Sequence, residues 1–237
     1  MQTTKSKSTF YYLIYTFGVV LGVAFITLSI WADLEASFYG FYHRPSSRFE
    51  GLSCPIFMTP NETTSFSATI TNTSDRTLSP TIKAEISSTG TLVTINEKIS
   101  LEAGESKTLT WEIGPENIDL EHFAFANVYI YTFYPIQDSE NNCGIFVLNL
   151  PGNGTVITWS AVILSVFSLS FGLYQLRKQQ EHLSKRKNVF PALIFLTGLI
   201  FVGLLVAFIG SWVQGILILV VLAFLLLIIV GTIIKHL

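Results

Sequence analysis

Residues that could do acid–base chemistry are few in this sequence of 237 residues, which has four histidines and two cysteines. Only His43 and His122 fall in the polar part of the chain. Catalysis needs a nucleophile, a base and an orienting group, or a set of metal ligands, within reach of one another. Glu121 precedes His122, but neighbouring residues in a strand point to opposite faces. We therefore expect no catalytic residue and predict that the protein is not an enzyme.

Two acidic stretches, residues 116–121 and 138–142, offer the oxygen ligands that calcium prefers. Neither has the glycine-containing spacing of a calcium loop, so solvated turns explain them. We expect no bound metal and no cofactor. The sequence also has no glycine-rich phosphate loop and no nucleic-acid-binding motif, so nucleic acid is not an expected partner.

The two cysteines are the clearest chemical feature, because they bracket the polar segment. Cys54 lies in the first candidate strand, and Cys143 opens the last one. A disulfide between them would close a loop of about 90 residues and stabilise the domain by several kcal/mol. Two buried free thiols are the alternative, whereas two cysteines without neighbouring histidines fall short of a zinc set. We predict the Cys54–Cys143 disulfide, which requires an oxidising compartment.

Four long apolar runs set the positions of these residues. The runs cover residues 10–32, 155–176, 189–209 and 214–234, and none contains Asp, Glu, Lys, Arg or His. At about 1.5 Å of rise per residue, each can cross a hydrocarbon core roughly 30 Å thick. The mean hydropathy of +0.52 agrees. We interpret the first run as an uncleaved signal anchor, with cleavage near Ala32 or Ala36 as the alternative.

Charge placement predicts the topology. Eight of the fourteen basic residues lie in the N-terminal tail, in loop 177–188 or after the last run, whereas residues 45–150 carry five basic and thirteen acidic residues. Short cytoplasmic loops are enriched in basic residues. We therefore expect a multi-pass protein of the plasma membrane, with both termini cytoplasmic and the polar domain outside. The residues expected to face lipid headgroups are Arg177, Lys178, Lys185, Arg186 and Lys187.

The polar segment has the pattern of strands. Phe66, Ala68 and Ile70 alternate with small polar residues, and the same period of two recurs at residues 82–86 and 109–113. Residues 123–134 are apolar on both faces and predict a central strand. About seven strands in some 100 residues predict a two-sheet sandwich. The predicted fold class is a membrane α-helical bundle of four transmembrane helices plus an all-β extracytoplasmic sandwich inserted between helices 1 and 2.

These elements divide the chain into three parts. Residues 1–35 hold the cytoplasmic tail and the first transmembrane helix, and residues 36–152 hold the β domain with an aromatic juxtamembrane segment. Residues 153–237 hold helices 2–4 with the basic loop 177–188. Small residues at helical spacing predict close packing of the first two helices or docking onto another membrane subunit. They are Gly18, Gly22, Ser165, Ser168 and Gly172.

Three Asn-x-Ser/Thr triplets lie in the part expected outside, at Asn61, Asn72 and Asn153. Each is a possible glycosylation site. Such triplets also arise by chance in loops rich in Asn and Thr, so the triplets alone do not establish a glycan.

The segment 52–150 resembles the prokaryotic cell-surface immunoglobulin-like domains of the CARDB-like type. The resemblance rests on CPI at 54–56, TNTS at 71–74, LEAGE at 101–105 and LTW at 109–111. It implies a binding or spacing module and carries over no catalytic residue. The layout is also similar to that of the claudin-like tetraspans. Residues 51–54, however, lack the tryptophan and the closely following second cysteine of that family.

Together, these features predict a non-enzymatic integral membrane protein whose outside domain binds or spaces a partner. We expect it to be an accessory or scaffold subunit, with the lipid bilayer and a protein as partners through the β domain or the helices. A component of an oligomeric transporter or channel is the alternative. Its sole support is a stripe of serines in the second run, since the runs lack ionisable residues. A claudin-like adhesion protein is a third interpretation.

Overall fold

The computed structural model describes residues 2–41, 47–131, 138–180 and 189–235. Within these residues the chain forms one N-terminal helix, then a run of strands, then three further helices. The helices are α1 (Gln2–Phe38), α2 (Gly154–Gln180), α3 (Val189–Ile209) and α4 (Trp212–Lys235). The strands are β1 (Ser47–Arg48), β2 (Leu52–Ser53), β3 (Phe57–Met58), β4 (Thr64–Thr71), β5 (Thr81–Ser88), β6 (Thr91–Lys98), β7 (Ser106–Ile113), β8 (Ile118–Asp119), β9 (Phe123–Tyr131) and β10 (Ser139–Val147).

Internal contacts divide the chain into two compact units. The helical unit comprises Met1–Ile30 and Thr158–Leu237, and the β unit comprises Trp31–Ile157. Both boundaries fall inside helices, since α1 continues to Phe38 and α2 begins at Gly154. The β unit therefore includes the last two turns of α1 and the first turn of α2, and it is wider than the segment 36–152 at both ends.

Two sheets form the β unit in the described part of the chain. The larger sheet has the order β1-β10-β9-β5-β6, with β3 also paired to β10 and β8 to β9. Its β1 and β3 pairings are parallel, and the others are antiparallel. The smaller sheet, β2-β4-β7, is antiparallel. A disulfide between Cys54 and Cys143 connects the residue after β2 to β10, with 6.5 Å between the two Cα atoms.

The inner faces of both sheets share one apolar core. Phe66 of β4 stacks on Trp111 of β7, with 5.2 Å between ring centroids. The indole N–H of Trp111 donates to Glu97 at 2.8 Å, so the polar end of this buried ring is satisfied. Core residues alternate along each strand, as the period of two requires. They include Ala68, Ile70, Ile82, Ala84, Ile86, Leu109, Ile113, Ala124, Ala126, Val128 and Ile145.

The predicted fold class, a four-helix membrane bundle with an all-β sandwich inserted between helices 1 and 2, is wrong. In the described residues the elements run in sequence, as an N-terminal helix, a β region and three C-terminal helices. The β region is not a separate all-β insert, because its compact unit begins at Trp31 inside α1 and ends at Ile157 inside α2. The apolar composition marked the helices but did not show that their ends belong to the β unit.

Four helices in the described residues are long and apolar enough to cross a membrane. These candidate spans are Thr9–Phe38, Gly154–Lys178, Phe190–Ile209 and Trp212–Gly231, with mean hydropathies between 2.0 and 3.2. Lengths of 20 to 30 residues suffice for a hydrocarbon core of roughly 30 Å. The chain thus has the composition of a membrane protein.

Candidate functional site

The most elaborate arrangement in the β unit is the packing of residues 31–41, here called the α1 tail, on the outer face of the larger sheet. The ring of Trp31 lies 5.4 Å from that of Phe123, centroid to centroid, and the ring of Tyr39 lies 4.3 Å from that of Phe125. Phe123 and Phe125 alternate along β9 with core-facing alanines, so they point away from the core. The α1 tail therefore covers the aromatic end of this outer face.

A glycine in β10 allows this close approach. A Cβ atom at Gly144 would collide with the carbonyl oxygen of Ala32, which is backbone, so the contact could be relieved only by a shift of the helix itself. The amide N–H of Gly144 donates to the Asp33 carboxylate at 3.1 Å. Ala32 and Ala36 are both fully buried. Small residues on both sides thus bring helix and strand backbones into contact.

A tyrosine–aspartate hydrogen bond fixes the end of the tail. The Tyr39 hydroxyl donates to one Asp119 oxygen, and the backbone N–H of Leu120 donates to the other at 2.8 Å. Burial raises the pKa of Tyr39, and the hydrogen bond and negative charge of Asp119 raise it further. The phenol is therefore a neutral donor at physiological pH, and it ties the α1 tail to the turn that precedes β9.

A polar cluster occupies the same outer face beyond Phe125. The Asn127 side-chain nitrogen donates to Glu85 at 3.1 Å and to Glu140 at 2.6 Å, and Lys83 forms a 2.6 Å ion pair with Glu85. Glu85 and Asn127 are buried, at 4% and 0% exposure. The side-chain oxygen of Asn127 has no hydrogen-bond partner among the described residues. Lys83 offsets the charge of the buried Glu85 carboxylate, and the Asn127 amide bridges Glu85 and Glu140.

The neighbouring Tyr129 repeats the tyrosine–aspartate motif. Its hydroxyl donates to Asp138 at 2.7 Å. Partial burial raises the pKa of Tyr129 to about 12, with further contributions from the hydrogen bond and charge of Asp138 and from Glu140. Tyr39 and Tyr129 are thus both held in the neutral form.

A carboxylate also organises the start of α2. Glu62 accepts the backbone N–H of Gly154 at 2.7 Å and that of Thr59 at 3.0 Å. Asn153 caps the helix by accepting the N–H of Thr155 at 2.8 Å. A negative charge is favourable at a helix N-terminus, where backbone N–H groups lack partners. Beside it lies a shallow polar cavity of about 420 Å³ lined by residues 59–62 and 149–152.

The outer face of the smaller sheet differs, because short hydroxyl side chains form most of it. We call it the hydroxyl face. Thr69 and Thr108 share a 2.9 Å hydrogen bond, and Thr71 and Ser106 share one of 2.8 Å. Glu112, opposite Ser65, is the charged side chain that β4 and β7 place on it. The members are Ser65, Ser67, Thr69, Thr71, Ser106, Thr108 and Thr110.

The residues predicted to pack helices lie together in the helical unit. A Cβ at Gly18 would lie 2.9 Å from the backbone nitrogen of Leu169, and one at Gly22 would lie 2.7 Å from the Ser165 hydroxyl oxygen. Ser165 donates to the Gly18 carbonyl at 2.9 Å. Close approach of small residues is the usual way that apolar helices pack in lipid.

Ser168 and Gly172, the other two residues predicted to pack helices, also lie where α1 and α2 approach each other. A Cβ at Gly18 would also contact the Ser168 side chain, and one at Gly172 would contact Tyr15 at 2.8 Å. Ser165 and Ser168 are both buried. These serines of the stripe are therefore engaged in helix packing.

The predicted headgroup-facing residues are only partly described. Arg177 and Lys178 are exposed in the last turn of α2. Lys185, Arg186 and Lys187 lie outside the described residues, and so does His43. His122 is exposed, and its ring stacks on Phe146 at 6.3 Å.

One of the three possible glycosylation sites is buried. Asn72 is 1% exposed, and its side-chain nitrogen donates to the carbonyls of Arg76, Leu101 and Glu102. Its oxygen accepts from Ser74. The side-chain nitrogen of Asn72 is thus engaged within the folded domain. Asn61 and Asn153 are exposed.

Sequence reasoning missed the residues that hold the α1 tail, namely Asp33, Asp119 and Gly144. One signal pointed towards them. A strand that is apolar on both faces must be covered on both, and the segment around Phe125 has that composition. The sequence alone did not identify the covering element as the end of the first helix.

No family model matches the chain, and no curated protein matches it. Similar solved structures include the CARDB domain of a Pyrococcus furiosus protein in complex with di-metal ions, 18% identical over 46% of this chain and 98% of that chain, with a TM-score of 0.34. A Bacteroides uniformis β-glucuronidase is 17% identical over 40% of this chain and 13% of that chain, with a TM-score of 0.33. A Listeria innocua β-glucosidase in complex with isofagomine is 22% identical over 45% of this chain and 17% of that chain, with a TM-score of 0.30.

These matches correct one expectation. We predicted that the chain is not an enzyme, and the glycosidases among the similar structures contradict this, so the prediction is withdrawn. The chain covers only 13% of the β-glucuronidase and 17% of the β-glucosidase. At TM-scores of 0.29 to 0.34, the likeness assigns neither an activity nor a family.

Proposed function

We propose that this protein is an accessory or scaffold subunit of a membrane assembly, and that its β unit is a CARDB-like surface module that binds a protein partner. In this proposal both termini are cytoplasmic and the β unit lies outside. The observation that carries the proposal is the contrast between the outer faces of the two sheets. The α1 tail covers the aromatic end of the larger sheet's outer face, whereas the smaller sheet presents the exposed hydroxyl face.

The hydroxyl face suits docking because little is lost when it is buried. In each of the pairs Thr69–Thr108 and Thr71–Ser106 one O–H already has its acceptor, so a partner needs to accept only the O–H of the other hydroxyl. Threonine side chains have few rotamers to lose. Burying a charge would be more costly, and Glu112 lies at one end of the face, opposite Ser65.

The partner test uses added charge. In Thr69→Lys/Thr108→Lys, two ammonium groups would occupy the centre of the hydroxyl face, and we expect binding to a partner captured by crosslinking in intact cells to fall by about tenfold or more. Thr94→Lys is the matched control, because Thr94 is exposed on β6 of the larger sheet. A chain captured equally from wild type and both variants would contradict a role for the hydroxyl face.

The sidedness test relies on the native disulfide. Because the only two cysteines are bonded to each other, an introduced cysteine is the single reactive thiol. We expect an impermeant maleimide to label Ser100→Cys in intact cells and to label Lys178→Cys only after permeabilisation. Both positions are exposed. The reverse pattern would place the β unit in the cytoplasm and end the proposal.

A further inference from the structure

The turn that precedes β9 has an unusual backbone. Leu120 and Glu121 both have positive φ angles, 48° and 67°. Side chains other than glycine rarely adopt this left-handed region, and two in succession are unfavourable. Strain of this kind is retained where the surrounding structure holds it and where the resulting side-chain direction is useful. We call residues 119–122 the interface turn.

Hydrogen bonds on both sides hold the interface turn in this conformation. The N–H of Leu120 donates to Asp119 at 2.8 Å, and Asp119 also accepts from Tyr39 of the α1 tail. The N–H of His122 donates to the Leu120 carbonyl, and the His122 carbonyl accepts from Val147, both at 2.8 Å. The result is a fixed turn that presents Leu120 to the outside, with 55% of its surface exposed.

The exposed apolar residues of the α1 tail lie beside this turn. Trp31 is 44% exposed and Phe38 is 75% exposed. Seven residues separate them, so they lie on the same face of the helix. Trp31 contacts Phe123, which directly follows the turn, and Phe38 directly precedes Tyr39. Trp31 through Phe123, and Phe38 through the bond of Tyr39 to Asp119, are thus each one residue away from a contact with or beside the interface turn. We call the three exposed side chains Trp31, Phe38 and Leu120 the apolar patch.

We infer that this patch contacts the surface of the lipid bilayer, with Leu120 inserted among the headgroups. The inference rests on the membrane location in the proposed function. The α1 candidate span ends at Phe38, so the patch belongs to the last turns of a helix that is apolar enough to cross a membrane. Tryptophan and exposed apolar side chains favour the interface between water and hydrocarbon.

Neighbouring charges define the kind of lipid surface. Glu116 and Glu121 are exposed on either side of Leu120, and residues 116–122 include no lysine or arginine. Anionic headgroups would repel these carboxylates. The patch therefore fits a zwitterionic surface, and its contact with lipid weakens as the anionic fraction rises.

The test measures lipid proximity at single positions in the full chain. An environment-sensitive fluorophore is attached to Leu120→Cys in phosphatidylcholine nanodiscs that contain lipids with a shallow spin-label quencher. Ser100→Cys is the control, since Ser100 is exposed near the other end of the larger sheet, and Val20→Cys is the membrane reference, since Val20 is 62% exposed in α1. We expect quenching at Leu120→Cys about twofold or more above that at Ser100→Cys, and less quenching when phosphatidylserine is added.

The outcomes separate this inference from the proposed function. Quenching at Val20→Cys with only the Ser100→Cys level at Leu120→Cys would overturn the inference and leave the membrane location intact. A blue-shifted but unquenched label at Leu120→Cys would indicate a protein contact and would also overturn it. Lack of quenching at Val20→Cys would overturn the membrane location itself.

Discussion

The outer faces of the two sheets differ in how they meet water. Both sheets place one face in a shared core. The second face of the larger sheet carries Phe123, Phe125 and buried Glu85, and the α1 tail packs on its aromatic end. The second face of the smaller sheet carries exposed Ser and Thr that bond to each other. One face depends on a cover, whereas the other is stable in water.

This difference shows how composition assigns roles to the faces of a sheet. Aromatic and carboxylate side chains on the larger sheet gain stability only when another segment excludes water or supplies partners. Threonines on the smaller sheet have high strand propensity and need no cover. A covered face therefore depends on its cover for stability, whereas an uncovered, weakly charged face is stable without one.

The largest expected effect comes from removing the disulfide that joins the two sheets. Cys54→Ser/Cys143→Ser removes the bond between the β2 side and β10, which closes a long loop. We expect the free energy of unfolding of the β unit to fall by about 4 kcal/mol. A urea titration of the full chain in nanodiscs, followed by the infrared band of β-sheet, measures this. An unchanged urea midpoint would show that the shared core alone holds the two sheets together.

The next largest effect is expected from disturbing the packing of the α1 tail on the larger sheet. Gly144→Ala places a Cβ against the Ala32 carbonyl, so the α1 tail must shift, and we expect a loss of about 3 kcal/mol. Gly90→Ala is the control, because a Cβ there meets nothing within 4 Å and only the left-handed backbone, φ +74°, costs about 1 kcal/mol. Equal losses in the two variants would mean that the packing of the α1 tail on the larger sheet does not add to the free energy of unfolding.

A smaller effect concerns the tyrosine at the end of the tail. Tyr39→Phe removes the hydroxyl that donates to Asp119, and we expect a loss of about 1.5 kcal/mol at neutral pH. Unfolding of the full chain by urea, measured as for the disulfide variant, reports this difference.

The same variant changes the pH dependence. The pKa of Tyr39 is raised above its usual 10.0, so the folded state holds this proton more tightly than the unfolded state does. Wild-type stability is therefore constant below pH 10.0 from this source and falls as the pH rises above it. Tyr39→Phe should make that decline of stability with pH less steep, and adding Tyr129→Phe should make it less steep again. A decline of the same slope in Tyr39→Phe would exclude the tyrosine as its cause.

The smallest effect lies on the hydroxyl face. Thr69→Val/Thr108→Val removes one exposed hydrogen bond between side chains and keeps the branched shape. We expect a change in the free energy of unfolding below about 0.5 kcal/mol. A loss as large as that of Gly144→Ala would show that the hydroxyl face is as structural as the covered face.

Much of the fold followed from local patterns. The alternation at Phe66, Ala68 and Ile70 predicted a half-buried strand, and these residues are buried in β4. The apolar segment that begins at Phe123 predicted a central strand, and β9 lies between β10 and β5. Hydrophobic periodicity reports burial directly, because each position either meets water or does not.

The site did not follow from such patterns, because its contacts are distant in sequence. Gly144 meets Ala32, and Asp119 meets Tyr39, across most of the domain. An aspartate just after an apolar run has the composition of a helix end, so Asp33 gave no sign that it accepts the Gly144 amide. The same composition also led to the incorrect prediction that the β region is a separate insert.

Hydrogen exchange of the full chain in nanodiscs tests most directly whether the α1 tail is part of the β unit. We predict that Gly144→Ala speeds exchange in residues 31–38 and in β9 and β10 together, and leaves α3 and α4 unchanged. Faster exchange in β9 and β10 with an unaltered α1 tail would contradict the account.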